Sequence, residues 1–247
     1  MEKARKKLIR LVGILKKLNV YWLGTLDYPL AQEIQLKIVE KRSRDEIRDT
    51  LLFLEHQPVI TRGRGGKENN LLVEKEKLVE IGIPVFPVER GGDVTYHGPG
   101  QLVGYPILKL QEEDKDLHLL IRRYEEMIIQ VLKDFGIKGE RRPPHSGVWV
   151  AEKKIAAIGV AVRKWITFHG FAFNVSPDLN HFKFIVPCGI KGGEVTSLKE
   201  ILGPDCPNMA EVREKTLDYF CSIWGMRMVE YEESLPEMVK KENSRWA

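Results

Sequence analysis

Arg90-Gly91-Gly92-Asp93-Val94-Thr95-Tyr96-His97-Gly98-Pro99-Gly100-Gln101-Leu102-Val103-Gly104-Tyr105 packs five glycines and one proline among charged and aromatic side chains. Glycine permits positive φ or lets the chain lie directly against a ligand, so a glycine run framed by apolar strands reads as a pocket wall with exposed main-chain donors. The flanking runs, 83–88 and 102–108, are short, apolar and rich in β-formers. They give strand, glycine loop, short strand, Gly-Pro-Gly turn, strand. Glycines alone fit a tight hairpin turn about equally well, and the interleaved Arg90, Asp93, Tyr96, His97 and Gln101 tilt the reading toward a site.

Outward from this loop, Leu30, Ile34 and Ile38 at spacing four mark a helix that ends in the charged stretch 41–48, and 51–54 reads as a strand. A Gly-, Lys- and Asn-rich loop, 63–70, precedes a short helix at 74–80 stopped by Gly82. Leu117, Ile121, Tyr124, Ile128, Val131 and Phe135 recur every three or four residues, with Asp116 as N-cap and Gly136 as the stop, which predicts the longest helix, lying across the sheet. Runs 147–150, 155–162 and 166–174 read as antiparallel strands with short polar connections. Ser197-Leu198-Lys199-Glu200 is a capping box, Asn208 opens a helix reaching Trp224 before Gly225, and 226–231 adds a last strand. No repeating βαβ pattern is present, so the class is α+β with a mixed, largely antiparallel central sheet.

The 247 residues and 43% hydrophobic content suit one domain with a sizeable core. The division expected is a basic N-terminal extension, 1–20, a single catalytic domain, 21–231, and a charged, partly mobile tail, 232–247. Residues 1–19 read as a solvated amphipathic helix and not as a secretory signal, for want of a long apolar patch and a cleavage pattern. A formal net charge of +4 with 39 Lys and Arg spread along the chain favours an acidic partner over dedicated nucleic-acid binding. No apolar run approaches the roughly 18 residues of a membrane span. Three cysteines, an odd number without paired spacing, suggest neither a disulfide framework nor zinc, which fits a cytoplasmic protein.

Cys188 stands at the end of an apolar run and the start of a glycine-rich turn. Such a turn offers a thiol access and main-chain N–H donors for an oxyanion, although a lone cysteine is more often a buried, inert hydrophobe. Cys206 and Cys221 read as structural. Lys153 and Lys154 are adjacent at the opening of a strand, and because side chains alternate faces only one of them can enter a given pocket. A lysine partly buried beside apolar neighbours has its pKa lowered and can take a proton from a nearby thiol. His97 and His169 are read about equally as structural and as site residues.

Taken together, His56 to Arg64, Arg90 to Gln101, Gly147-Val148-Trp149-Val150, Lys154 to Gly159, Phe168 to Asn174 and Pro187-Cys188-Gly189-Ile190 resemble, in this order, the lipoyl(octanoyl) transferases. The matches span roughly residues 21 to 224. Ser146, where threonine is commoner, and the loosening pair Gly192-Gly193 are small departures. The resemblance implies a biotin/lipoate protein ligase-like fold with a smaller second sheet beside the main one. It implies Cys188 as nucleophile and Lys154, with Lys153 as its decoy, as acid/base. The implied substrate site is Arg90, Gly91, Gly92, Asp93, Val94, Thr95, Tyr96 and His97 as one wall, with Ala157, Ile158, Gly159, Gly170, Phe171 and Ala172 as the acyl slot. It implies transfer of an octanoyl group from octanoyl-acyl carrier protein to a lysine of lipoyl domains, those of 2-oxoacid dehydrogenase complexes and the glycine cleavage H protein, without nucleotide, cofactor or metal. An ATP-dependent ligase on the same kind of fold needs no thiol, and a cysteine hydrolase would pair Cys with His and an orienting Asn or Asp. A non-catalytic basic module leaves the concentrated Gly, His and Cys motifs unexplained.

Overall fold

The computed structural model describes residues 15–186 and 194–232. The helix expected before residue 15, the turn carrying Cys188 and the tail after Glu232 lie outside the described residues. Sixteen regular elements are described: strands β1 (Lys16–Leu26), β2 (Asp49–His56), β3 (Val59–Arg62), β4 (Val85–Pro87), β5 (Val94–His97), β6 (Gln101–Ile107), β7 (Glu140–Arg142), β8 (His145–Val150), β9 (Lys153–Arg163), β10 (Ile166–Asn174) and β11 (Met226–Glu232), with helices α1 (Tyr28–Ser43), α2 (Lys75–Glu80), α3 (Leu117–Asp134), α4 (Leu198–Leu202) and α5 (Met209–Trp224).

The capping residues act as their types dictate. Asp116 accepts from the backbone N–H of His118 and Leu119 to start α3. Ser197 Oγ accepts from Glu200 N at 3.1 Å, Asn208 Oδ1 accepts from Glu211 N at 2.9 Å, and Gly225 closes α5 in the left-handed region. Asp27 caps α1, accepting from Leu30 N at 2.9 Å.

Eight strands form one sheet in the order β11-β1-β2-β6-β10-β9-β8-β7, and three form a second in the order β4-β3-β5. In the large sheet β1 runs parallel to β11 and β2, and the other pairs are antiparallel. Helices α3 and α5 cover one face over a core that includes Leu51, Phe53, Tyr124, Ile128, Phe171 and Phe220. Helix α1 covers the other face through Ala31, Ile34 and Ile38. The small sheet has a separate core around Ile60, Leu78, Tyr96 and Phe182.

One expectation changes. Lys16 to Asn19, read as the end of a solvated helix, is strand: it pairs on both sides, and Leu18 and the following Val20 are fully buried. The hairpin alternative for the glycine-rich stretch is excluded, because β5 belongs to the small sheet and β6 to the large one. The Gly-Pro-Gly turn carries the chain from one sheet to the other and is fixed there, with Gly100 N donating to Glu55 Oε2 at 2.6 Å and Gly100 O accepting from Val175 N and Ser176 N.

Candidate active site

A cavity of about 210 Å³ opens between the two sheets. Its floor is where β9 and β10 pair Ala157 with Ala172, Ile158 with Phe171 and Gly159 with Gly170; all six line it in one antiparallel register, while the Ile158 and Phe171 side chains pack in the core under α3 and α5. The opposite wall is Arg90, Gly92, Asp93, Val94, Thr95 and His97 from the glycine loop and β5. Gly91 does not line the cavity; its N–H donates to Val160 O at 2.9 Å and ties the loop to β9. Tyr96 turns away into the small core and hydrogen-bonds His181 Nδ1 through its hydroxyl at 2.8 Å.

The loop crosses β9 very closely. A Cβ on Gly159 would sit 2.9 Å from Gly91 O and 3.0 Å from Arg90 Cδ, so this crossing requires glycine. Arg90 folds back against β3, its Nη2 donating to Thr61 O at 2.8 Å and to Thr61 Oγ1 at 2.9 Å. Asp93 accepts from Val94 N at 2.7 Å, from Lys67 N at 3.3 Å and from the Asn70 side-chain amide. Its carboxylate thus organises the 67–70 loop.

Three buried histidines, His56, His97 and His169, lie in and behind the cavity lining, and the ring protons of His56 and His97 are fixed by their partners. His56 Nδ1 faces the carbonyl of Leu26, which can only accept, so Nδ1 donates and Nε2 accepts from the Tyr105 hydroxyl at 2.6 Å. Gln101 donates its amide to Tyr96 O and Asn174 Oδ1, which turns Oε1 toward His97 Nδ1 at 2.9 Å and places the proton there. Burial pushes His56 down to about 4 and His169 down to about 3, and burial, helped by His56 and Arg90, holds His97 well below its ordinary value. All three are therefore neutral near pH 7.

Lys154 is 5% exposed, whereas Lys153 holds Glu200 at 3.0 Å and Glu194 at 3.3 Å on the surface. The alternation expected of adjacent strand residues separates them. Lys154 Nζ donates to Ser146 O at 2.9 Å and lies 4.8 Å from the centre of the Trp149 ring. A recess of about 10 Å³ lies beside it, lined by Gln101, Lys154 and Asn174, and shares Thr95, Ala157 and Ala172 with the main cavity. Lys154 therefore sits at one end of the apolar slot. Cys188 lies outside the described residues, but Lys154 N and O bond Glu194 O and Thr196 N, so the chain that resumes after residue 193 is anchored on Lys154 itself. Cys206 and Cys221 pack among the helices, with both thiols pushed up by burial.

Sequence reasoning missed Tyr28, Tyr105 and the rim Pro144, His145 and Ser146, which also line the cavity. Tyr28 and the 144–146 segment come from elements distant from the motifs, and Tyr105, although it ends the glycine-rich stretch, reads there as part of a strand. Among the described residues no helix is long and apolar enough to cross a membrane.

The sequence profile of the lipoyl protein ligase A/B catalytic domain matches residues 27–221. An octanoyltransferase of Caldicellulosiruptor saccharolyticus is 48% identical over 228 residues, 91% of this chain and 96% of that protein. One from Caldicellulosiruptor bescii is 49% identical, covering 84% of this chain and 92% of its own length. Among solved structures, a lipoate protein ligase of T. acidophilum with bound lipoic acid superposes with a TM-score of 0.69 at 18% identity, over 93% of this chain and 98% of that one. Biotin protein ligase from Aquifex aeolicus, in complex with biotin and ATP, gives a TM-score of 0.53 at 19% identity, over 83% of this chain and 70% of that one. At such identities these structures speak for the fold alone.

Proposed function

The chain belongs to the lipoyl protein ligase A/B catalytic-domain family and is an acyltransferase related to the octanoyltransferases, and on that premise we propose that it carries an octanoyl group from acyl carrier protein to a lipoyl-domain lysine through a thioester on Cys188. The observation that carries this reading is the apolar slot of paired Ala157, Ile158, Gly159, Gly170, Phe171 and Ala172 with a buried lysine at its end. Small residues on facing strands leave room for an unbranched acyl chain. The lysine stands where the chain's carbonyl would emerge.

In the first step Lys154 takes the Cys188 thiol proton and the thiolate adds to the carbonyl of the donor thioester. The tetrahedral intermediate expels the phosphopantetheine thiolate, which takes the proton back from Lys154. In the second step the acceptor amine adds to the Cys188 thioester and gives its proton to Lys154. The C–S bond breaks, the amide forms, and the proton returns to Cys188. A thioester is already activated toward an amine, so neither nucleotide nor Lewis acid enters. The acceptors in this reading are the lipoyl domains of 2-oxoacid dehydrogenase complexes and the glycine cleavage H protein, and the setting is the cytoplasm.

The test is intact mass after mixing the protein with octanoyl carrier protein. A hydroxylamine-labile octanoyl adduct should appear on Cys188, form without ATP and in EDTA, and be absent from Cys188→Ala. An adduct on Cys206 or Cys221, or a requirement for ATP and free octanoate, would overturn the proposal.

A further inference from the structure

One peptide group joins helix α3 to Lys154. Its carbonyl oxygen, Ser146 O, accepts from Lys154 Nζ at 2.9 Å, and its N–H, on Gly147, donates to Glu125 Oε1 at 3.1 Å. In a trans peptide these two groups point in opposite directions, so a carboxylate and the lysine Nζ bracket the two ends of one amide dipole. A carboxylate accepting from the N–H draws the amide's electrons toward its oxygen and strengthens the bond that oxygen accepts, because hydrogen bonds in series polarise one another.

The surroundings hold this arrangement in one place. Glu125 is 5% exposed on α3, and its other oxygen lies 3.2 Å from Arg141 Nε, which fixes the carboxylate's rotation. Gly147 has φ of +135°, and a Cβ there would stand 2.5 Å from Lys154 Cε and 2.5 Å from Ala156 O. Only glycine lets the lysine stem lie against this peptide. The Trp149 ring confines Nζ from another side.

We propose that Glu125 is a positioning residue for Lys154, acting through the Ser146–Gly147 peptide to hold Nζ at the end of the acyl slot. The proposal rests on the reading of Lys154 as acid/base. A purely structural role, satisfying the buried Gly147 N–H, needs only a neutral acceptor of the same size, and glutamine supplies one. The positioning role needs the charge.

The experiment compares Glu125→Gln, Lys154→Ala and the double variant in transfer from octanoyl carrier protein, with Tm and the Gly147 amide proton followed by ¹H–¹⁵N NMR. Glu125→Gln should keep Tm near the parent and KM within about twofold while kcat falls about tenfold, the size of one charge-assisted hydrogen bond. In the Lys154→Ala background the same change should cost under about twofold, because residues acting in series are not additive. The Gly147 amide proton should move upfield in Glu125→Gln and respond to Lys154→Ala as well. An unchanged kcat, equal losses in both backgrounds, or a Gly147 resonance indifferent to Lys154→Ala would overturn the proposal. Parent-like turnover by Lys154→Ala would sink the acid/base reading instead, and the NMR response would still decide the coupling. Should Glu125→Gln fail to fold, Arg141→Gln, which releases Glu125 Oε2 together with the partly exposed Arg141 contacts to Glu126 and Arg122 O, should give a smaller loss confined to kcat. A loss in KM alone would count against it.

Discussion

At the scale of single residues, two neighbouring lysines with opposite environments make the sharpest comparison. Lys153 gives its charge to two surface carboxylates, and Lys154 is buried against Trp149 and Ser146. Lys154→Ala should lower acyl transfer by at least about a hundredfold, the range of general acid–base catalysis. Lys153→Ala should leave the rate near the parent and cost at most about 1 kcal/mol of stability, as exposed ion pairs do. Comparable rate losses from both would refute the assignment. The buried histidines make a second prediction, about stability. His56 and His169 are lowered to about 4 and about 3 by burial, so between those values and 6.5 the unfolded chain binds more protons than the folded one. Their neutral burial is fully tolerated above pH 6.5 and opposes folding increasingly as pH falls below it. At pH 5.5 each should have cost about 1 kcal/mol relative to pH 7. Thermal melts across this range should show Tm falling with pH. His169→Asn, a residue type that tolerates the φ of +55° found here, should flatten the slope. An unchanged slope would mean that the ring is protonated or solvated in the folded protein.

At the scale of elements, the slot depends on how tightly the glycine loop lies across β9 and β10. Gly159→Ala places a methyl group against the Gly91 carbonyl, which is itself tied to β9 through Gly91 N and cannot swing away like a side-chain end. The loop should lift, with kcat/KM falling well over tenfold and stability dropping by about 1–3 kcal/mol, as in other overpacked sites. A parent-like kcat/KM with reduced Tm would detach the loop from the reaction. Much of this level was legible in the sequence. Asp116, Ser197 and Asn208 announce helix starts by a local mechanism, and the small residues of 157–159 and 170–172 lie in runs whose alternation and length mark strands. Strand β1 was not legible from 16 to 19, because lysines at Lys16 and Lys17 and the neighbouring basic stretch mimic an amphipathic helix, and only pairing with β2 and β11 reveals it. Glu125 was equally hidden. On α3 it reads as one more charged helix residue, and its contact to the Gly147 N–H appears only when the helix lies against the β8 peptide.

For the whole molecule, the proposed site lies at the junction of two sheets, and this the sequence pattern did not carry: the Gly-Pro-Gly turn has the local signature of a hairpin, and nothing within it says that β5 and β6 part company. The junction also sets how a partner reaches the site. The loop at 63–70, bonded to the cavity wall from Arg64 N to Arg90 O and from Gly65 N to Gly92 O, carries Arg64, 71% exposed and 3.8 Å from Glu89, and exposed Lys67. Acyl carrier proteins are typically acidic, so their docking beside this loop should be partly electrostatic. The apparent KM for octanoyl carrier protein should rise clearly as the Debye length shrinks from roughly 30 Å at 0.01 M salt to about 10 Å at 0.1 M. A small donor, octanoyl pantetheine, enters the same slot without the protein surface and should respond much less. Arg64→Glu and Lys67→Glu should therefore weaken the protein donor and spare the small one, with little effect on Tm, since neither side chain is buried. Equal responses of the two donors to salt and to these substitutions would mean that the basic loop is ordinary solvated surface and that the carrier protein docks on another face.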